Sequence, residues 1–137
     1  MSRCPPGAEE EILKDLYAAV NRFDIPAVLA LLDPEILRTE PEGFPNSGTY
    51  HGTEAMRKIL TEGGRQNWDE GGCFPERFVK EGDKVIAFVR VRVRMKATQE
   101  WMEGNVADAF VFRDGKVAEW HTFREEKDAL AWAGIEE

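Results

Sequence analysis

One acidic residue of the chain interrupts a segment that is otherwise apolar. Asp108 lies in the sequence VADAFVF (106–112), whose β-branched and aromatic residues indicate a strand. Burying a lone carboxylate is costly unless the group is paired, protonated or open to a cavity. The sequence therefore leaves two interpretations. Asp108 either faces a cavity as a functional acid or pairs with an arginine of a neighbouring strand, for which Arg90, Arg92 and Arg94 are available.

A second acid stands at the end of a predicted strand. Glu40 closes the segment 36–40, and Pro41 follows it directly. A base at such a position, partly buried beside apolar surface, would have a raised pKa suited to proton transfer. The other interpretation is a solvated surface acid, because Glu35 and Glu42 lie close by and the chain holds 26 acidic residues.

Other kinds of chemistry have little support in the sequence. The two histidines, His51 and His121, lie far apart, and neither Cys4 nor Cys73 has metal-ligand spacing. No glycine-rich phosphate loop and no nucleophile elbow occurs. We expect neither a metal nor a cofactor.

Composition narrows the class of protein. The 137 residues suffice for one domain, and 42% hydrophobic with 32% charged residues is typical of a globular chain. The net charge of −8 disfavours binding to nucleic acid. No apolar run reaches the ~18 to 20 residues of a membrane span, and no secretory signal is visible, so the predicted compartment is the cytosol. Residues 1–8 are expected to be a disordered arm and residues 9–137 a single domain.

Helices and strands must together position Glu40 and Asp108. Apolar spacing predicts a helix from Ala8, a second helix capped by Asp24 and stopped by Asp33-Pro34, and a third from Thr53 to Gly63-Gly64. The residues between Pro41 and Gly52 are predicted to be a loop. Period-two patterns then predict strands over 74–80, 84–97, 101–113 and 116–123, before a short helix over 125–133. These elements predict an α+β fold in which a curved antiparallel sheet wraps around helices and encloses a cavity.

The order of several segments resembles a known superfamily. They are LYAAVN with DIPAV (16–28), ALLDP (30–34), YHGTEAM (50–56), FRDGKV (112–117) and the tail residues DAL (128–130) with AG (133–134). This layout is similar to the nuclear-transport-factor-2-like superfamily, in its SnoaL-like and ketosteroid-isomerase-like branch. The resemblance implies a cystatin-like cone, commonly dimeric through the outer face of the sheet. Isomerases, cyclases, hydrolases and non-catalytic binding domains share this fold.

The resemblance also implies roles for single residues. Glu40 matches the general base of the isomerases, and Asp108 matches an aspartic acid that is kept protonated and donates a hydrogen bond to an oxyanion. The isomerases also have a tyrosine on the first helix that shares this role, and the matching position in this sequence is Leu16. Tyr17 is one step, about 100 degrees, further around the helix, so it is expected to be a packing residue.

Other positions are expected to line or flank the cavity. The resemblance places one face of the last strand inward (Trp120, Thr122 and Arg124) and His121 outward, and Glu125 approximates an acid/base aspartate of the cyclases. Trp101, Met95, Phe44 and Trp68 are candidate apolar lining or lid residues, with ordinary core packing as the alternative. Arg90, Arg92 and Arg94 are expected at an interface, unless one of them reaches inward as a charged clamp.

The sequence thus predicts an enzyme that moves protons on a small apolar carbonyl compound. Glu40 would be the base or proton shuttle, and Asp108 the hydrogen-bond donor or second acid. The reaction would be an isomerisation, an aldol-type cyclisation or a hydration. The alternative is a non-catalytic small-molecule binding domain or a dimeric interaction domain.

Overall fold

The computed structural model describes residues 8–43, 47–63 and 68–136. Within them the chain forms four helices and six strands. Their order is α1 (Ala8–Asn21), α2 (Ile25–Ala30), β1 (Leu32–Glu40), β2 (Gly48–His51), α3 (Thr53–Gly63), β3 (Trp68–Glu81), β4 (Lys84–Met95), β5 (Trp101–Arg113), β6 (Lys116–Phe123) and α4 (Glu126–Ala133).

The six strands form one mixed sheet in the order β2-β1-β6-β5-β4-β3. Neighbouring strands are antiparallel except β1 and β6, which are parallel. Helices α1, α2 and α3 pack against one face, where buried residues such as Leu16, Val28 and Met56 meet Val89 and Phe110. This is the predicted α+β fold, but the sheet is mixed rather than wholly antiparallel, because β1 pairs with β6 in parallel. The core between helices and sheet adjoins the cavity.

The two faces of β4 follow the predicted alternation. Val85, Ala87 and Val89 belong to the core under the helices, whereas Ile86 and Phe88 lie on the outer face. Short side chains on β5 allow α4 to pack closely over that outer face, where its residues Ala129 and Ala133 meet Ala107 and Ala109. The described residues contain no helix that is long and apolar enough to cross a membrane.

Capping residues set the helix ends where the sequence indicates them. The Asp24 side chain accepts a hydrogen bond from the backbone N–H of Ala27, and Pro26 stands in the first turn of α2. Gly134 ends α4 in the left-handed conformation with φ 73°, which a residue without a Cβ adopts at little cost.

The structure corrects three predicted boundaries. Pro34 does not end a helix. It lies inside β1, where the pairing with β6 is irregular between Leu32 and Leu37, so its missing N–H costs no ladder hydrogen bond. The predicted loop after Pro41 contains β2, which pairs with β1 as a short edge strand. Strand β3 begins at Trp68, before the predicted start at 74, because its glycine-rich first part still pairs with β4.

The predicted arm is only partly within the described residues. Ala8, the last residue of the predicted arm, is the first residue of α1. Residues 1–7, Phe44 and Gly64 lie outside the described residues.

Candidate active site

A cavity of about 650 Å³ lies between the helices and the inner face of the sheet. Most of its wall is apolar, formed by side chains from α2, α3, β4 and β5: Val28, Met56, Ile59, Val89, Val91, Val93, Met95 and Met102. Polar side chains of α1, β1, β5 and β6 also line it: Tyr17, Arg38, Glu40, Asp108 and Thr122. An apolar cavity with a few polar groups is the usual form of a small-molecule site.

Asp108 lies in the cavity wall and is only 5% exposed. The hydroxyl of Tyr17 donates to its Oδ2 and that of Thr122 to its Oδ1, each at 2.5 Å. Such short contacts are typical of hydroxyl groups that donate to a carboxylate. Both oxygens are engaged as acceptors, an arrangement that differs from the protonated donor implied by the resemblance.

Tyr17 does more than pack, contrary to expectation. It is 2% exposed and lines the cavity, and its ring meets Phe110 edge-on at 6.2 Å between centroids. Burial and the negative charge of Asp108 raise the pKa of the Tyr17 phenol well above its ordinary value, so the hydroxyl keeps its proton and donates it. The sequence comparison misses this because α1 buries a wide face, on which both Leu16 and Tyr17 lie.

Arg38 is a charged residue of the cavity wall that the sequence analysis does not single out. Its Nη1 donates to the backbone oxygens of Thr39 and Trp120, at 2.7 and 3.3 Å, and to the Thr122 hydroxyl at 2.9 Å. The guanidinium carbon lies 4.4 Å from the centre of a Trp120 ring. The alternation of β1 indicates its position, because Ile36, Arg38 and Glu40 lie on the same face of the strand and Ile36 is fully buried.

Glu40 lies beside this arginine at the end of β1. Its Oε1 is 3.5 Å from Arg38 Nη2, and its side chain is 16% exposed. Burial raises the pKa of Glu40, and the negative charge of Asp108 raises it further, while Arg38 opposes both effects. Glu40 and Asp108 therefore line one cavity and affect each other electrostatically, and Arg38 touches Glu40 directly and Asp108 through Thr122.

Cys73 belongs to the same wall. Its backbone N–H and C=O bond to the side-chain amide of Asn21 at 2.8 and 2.9 Å, which ties β3 to the end of α1. Burial, with the nearby charge of Asp108, raises the pKa of the thiol to about 12. A thiol with so high a pKa stays protonated and is a poor nucleophile.

The remaining candidates divide between the two faces of the sheet. Trp120, Thr122, Arg124, Met95 and Trp68 line the cavity, and Glu125 lies at its edge, directly before α4. Trp101 does not line it. Because Trp101 and Asp108 differ in parity along β5, Trp101 lies on the outer face under Arg92, and Met102 takes the inner position.

The outer face also holds His121 and the three arginines of β4. His121 bonds to Thr39 and Glu119, each at 2.7 Å, and packs on Trp132 of α4. The arginines pair with acids of neighbouring strands: Arg90 and Arg92 with Glu103, and Arg94 with Asp69 and Glu70. None of the three reaches Asp108, and the inward clamp is Arg38 instead. In the described part of the chain no three acids, histidines or cysteines come together as a metal site.

Three helices on one face of a six-stranded mixed sheet, with a cavity between them, define an α+β protein of the nuclear-transport-factor-2-like class. Residues 13–120 match the family model of the SnoaL-like domain, and the chain belongs to that family. No curated protein matches the sequence.

Solved structures show the same fold. A nuclear-transport-factor-2-like protein from Burkholderia xenovorans is 28% identical, with a TM-score of 0.72 over 92% of this chain and 95% of its own. TerC, co-crystallised with polyporic acid, is 20% identical, with a TM-score of 0.77 over 92% of this chain and 97% of its own. A putative polyketide cyclase from Pseudomonas putida is 18% identical, with a TM-score of 0.73 over 93% and 96% of the two chains.

Proposed function

We propose that this SnoaL-like protein is an enzyme that transfers protons on a small, largely apolar carbonyl compound. The observation that carries the proposal is the polar part of the cavity wall, where Arg38 contacts Glu40 directly and is linked to Asp108 through Thr122. A base with a raised pKa beside a hydrogen-bonded acid is a common arrangement of general acid–base sites.

Glu40 is the proposed base. It removes a proton from the carbon next to the carbonyl group and returns it to a different atom of the same molecule. The raised pKa of Glu40 brings the strength of the base closer to that of the acid it must deprotonate. Asp108 is the second acidic residue of the site: Tyr17 and Thr122 hold its carboxyl group in place, and its charge is one of the causes that raise the pKa of Glu40.

Two relatives of the same fold have a ligand or an activity in their descriptions. TerC was co-crystallised with polyporic acid, and the Pseudomonas putida protein is described as a putative polyketide cyclase. At 20% and 18% identity they carry the fold alone, so the choice among isomerisation, cyclisation and hydration needs a direct assay.

Hydrogen exchange into a simple ketone tests the proposal without knowledge of the natural substrate. Phenylacetone in deuterium oxide is followed by proton NMR, which measures loss of the C–H signals next to the carbonyl. We expect the wild type to accelerate this loss and Glu40→Gln to reduce the acceleration by roughly 100-fold or more. Glu35→Gln is the matched control, because Glu35 lies on the same strand with its side chain 69% exposed. Equal exchange by wild type and Glu40→Gln would remove Glu40 from the mechanism.

A binding domain without turnover is the second candidate. The observation in its favour is that both oxygens of Asp108 already accept hydrogen bonds from the protein, as in a purely structural group. This candidate predicts that apolar ketones bind in the cavity, which calorimetry would measure, while exchange proceeds at the rate of buffer alone.

We also propose that the chain works as a homodimer in the cytosol. Helix α4 covers one part of the outer sheet face, and an uncovered part carries the exposed Phe74 and Trp101 beside Arg90, Arg92 and Glu103. Its mixed charges could pair with those of a second copy. Sedimentation velocity of the wild type and Phe74→Ser tests the proposed dimer, and a monomeric wild type contradicts it.

The free thiol of Cys73 accords with a reducing compartment such as the cytosol.

A further inference from the structure

We infer that Arg38 is the residue that holds the negatively charged oxygen of the ligand, so that the substrate class is β-dicarbonyl compounds and other acidic enols. The inference rests on the proposed proton transfer and names the group that stabilises its product. It starts from the hydrogen bonds of the guanidinium group and from the charges around it.

The Nη1 side of Arg38 is fully used by the protein. Its three acceptors, the backbone oxygens of Thr39 and Trp120 and the hydroxyl of Thr122, all belong to β1 and β6. The Nε and Nη2 side is different. Nη2 has only Glu40 Oε1, at 3.5 Å, and Nε makes no hydrogen bond with any residue in the described ranges. Since Arg38 lines the cavity, this side remains for a ligand oxygen.

Three neighbouring polar groups of the cavity wall are already engaged with one another. Tyr17 uses its hydroxyl proton on Asp108, and Thr122 does the same while it accepts from Arg38. Asp108 accepts at both oxygens. The guanidinium and the buried Trp120 Nε1, which has no hydrogen-bond partner among the described residues, therefore have donors to spare, and only the guanidinium carries a full positive charge.

The charge balance of the proton transfer favours the same residue. Before transfer, the carboxylate of Glu40 faces Arg38. The C–H bond then breaks, the proton joins Glu40 to give a neutral acid, and the electron pair moves onto the carbonyl oxygen as an enolate. The negative charge thus shifts from Glu40 to the ligand while Arg38 stays paired throughout, which avoids the cost of an unpaired buried charge.

The stacking of Arg38 fixes its position. The guanidinium lies over the Trp120 ring, 4.4 Å from the ring centre, and the strand oxygens hold Nη1. A cation held in advance stabilises charge that develops in the transition state without reorganisation. A ligand whose oxygen is already acidic, as in an enol, gains most from such a group.

Benzoylacetone is a suitable probe, because its enol and enolate forms differ in ultraviolet absorbance. Titration of the bound probe against pH measures its apparent pKa. An opposite charge within hydrogen-bonding distance lowers the pKa of an acid by about one to three pH units. We expect a decrease of this size with the wild type, no decrease with Arg38→Met, and a partial decrease with Arg38→Lys.

Arg92→Met is the matched control. Arg92 also lies over a tryptophan ring, 3.9 Å from the centre of Trp101, and pairs with a glutamate at 3.7 Å, but it does so on the outer face of the sheet. The probe should titrate with this variant as with the wild type. Circular dichroism and thermal unfolding verify that each variant is folded, and Arg38→Lys retains a test of the charge if Arg38→Met does not fold.

The outcomes separate this inference from the proposed function. Glu40→Gln should lose the exchange of phenylacetone yet still bind the benzoylacetone enolate, since Arg38 is then free of its partner. An enolate that binds equally well to Arg38→Met and the wild type overturns the inference even if exchange depends on Glu40. A wild type that binds only the neutral enol, or fails to bind the probe, overturns it as well. A wild type without exchange, whose pKa effect still depends on Arg38, overturns only the proposed function.

Discussion

Removing the Tyr17 hydroxyl tests the hydrogen-bond network around Asp108. Tyr17→Phe deletes one donor, at 2.5 Å, to a carboxylate that is 5% exposed, and leaves the aromatic contact with Phe110 in place. A hydrogen bond to a charged group contributes about 1.5 to 3 kcal/mol. Because water cannot easily replace the lost donor, we expect a decrease of about 2 kcal/mol in the free energy of unfolding.

Urea unfolding followed by circular dichroism measures this value, and a double-mutant cycle isolates the contact. The cycle compares Tyr17→Phe, Asp108→Asn and the double variant with the wild type. Residues in direct contact show coupling energies of about 0.5 to 3 kcal/mol, and we expect a value of at least ~1 kcal/mol here. A second cycle, with Thr122→Val in place of Tyr17→Phe, should also give a coupling energy with Asp108→Asn.

The prediction has a definite failure. A coupling energy near zero between Tyr17 and Asp108 would mean that the hydroxyl does not donate to the carboxylate. In that case the expectation that Tyr17 only packs would stand, and Asp108 would need another partner. An unchanged free energy of unfolding for Tyr17→Phe would have the same meaning.

Three further predictions follow from charges and backbone geometry. Folding raises the pKa of Glu40 above its ordinary 4.5, so the wild type loses stability as the pH rises through the pKa of Glu40 in the folded protein. Glu40→Gln lacks this loss. Its melting temperature relative to that of the wild type should therefore increase between acid and neutral pH. With its pKa raised to about 12, Cys73 in a Cys4→Ser background should react with iodoacetamide far more slowly in the native than in the unfolded protein. Gly71→Ala should prevent stable folding, because Gly71 has a φ of +93° and a Cβ there would lie 1.9 Å from a carbonyl oxygen of β4. Gly104→Ala is the control, since a Cβ at that position has open space around it and the melting temperature should stay nearly unchanged.

The strands of the second half could be predicted because their pattern is regular. Along β4 the alternation is unbroken, and it predicts correctly which residues lie under the helices and which lie on the outer face. The early part of the sheet could not be predicted equally well. Pro34 signals a break in most contexts, and only the irregular pairing of β1 with β6 makes it tolerable inside a strand.

The site was predictable only in part for a related reason. Asp108 is conspicuous in sequence because its neighbours are apolar, but Tyr17, which donates to it, and Arg38, which reaches it through Thr122, come from elements distant along the chain. Tyr17 lies on α1 and Arg38 on β1, and a single sequence does not show that helix rotation and strand pairing bring them together. The prediction that Trp101 lines the cavity is wrong, and its parity relative to Asp108 along β5 indicates the outer face from the sequence alone.

The pH dependence of exchange into phenylacetone tests the central claim most directly. If Glu40 is the base, the wild-type rate falls at low pH as Glu40 is protonated, with an apparent pKa above the ordinary 4.5 of a glutamate. Glu40→Gln should lack this decrease together with the activity. A wild-type protein that leaves the exchange rate at the level of buffer across the whole pH range would contradict the claim.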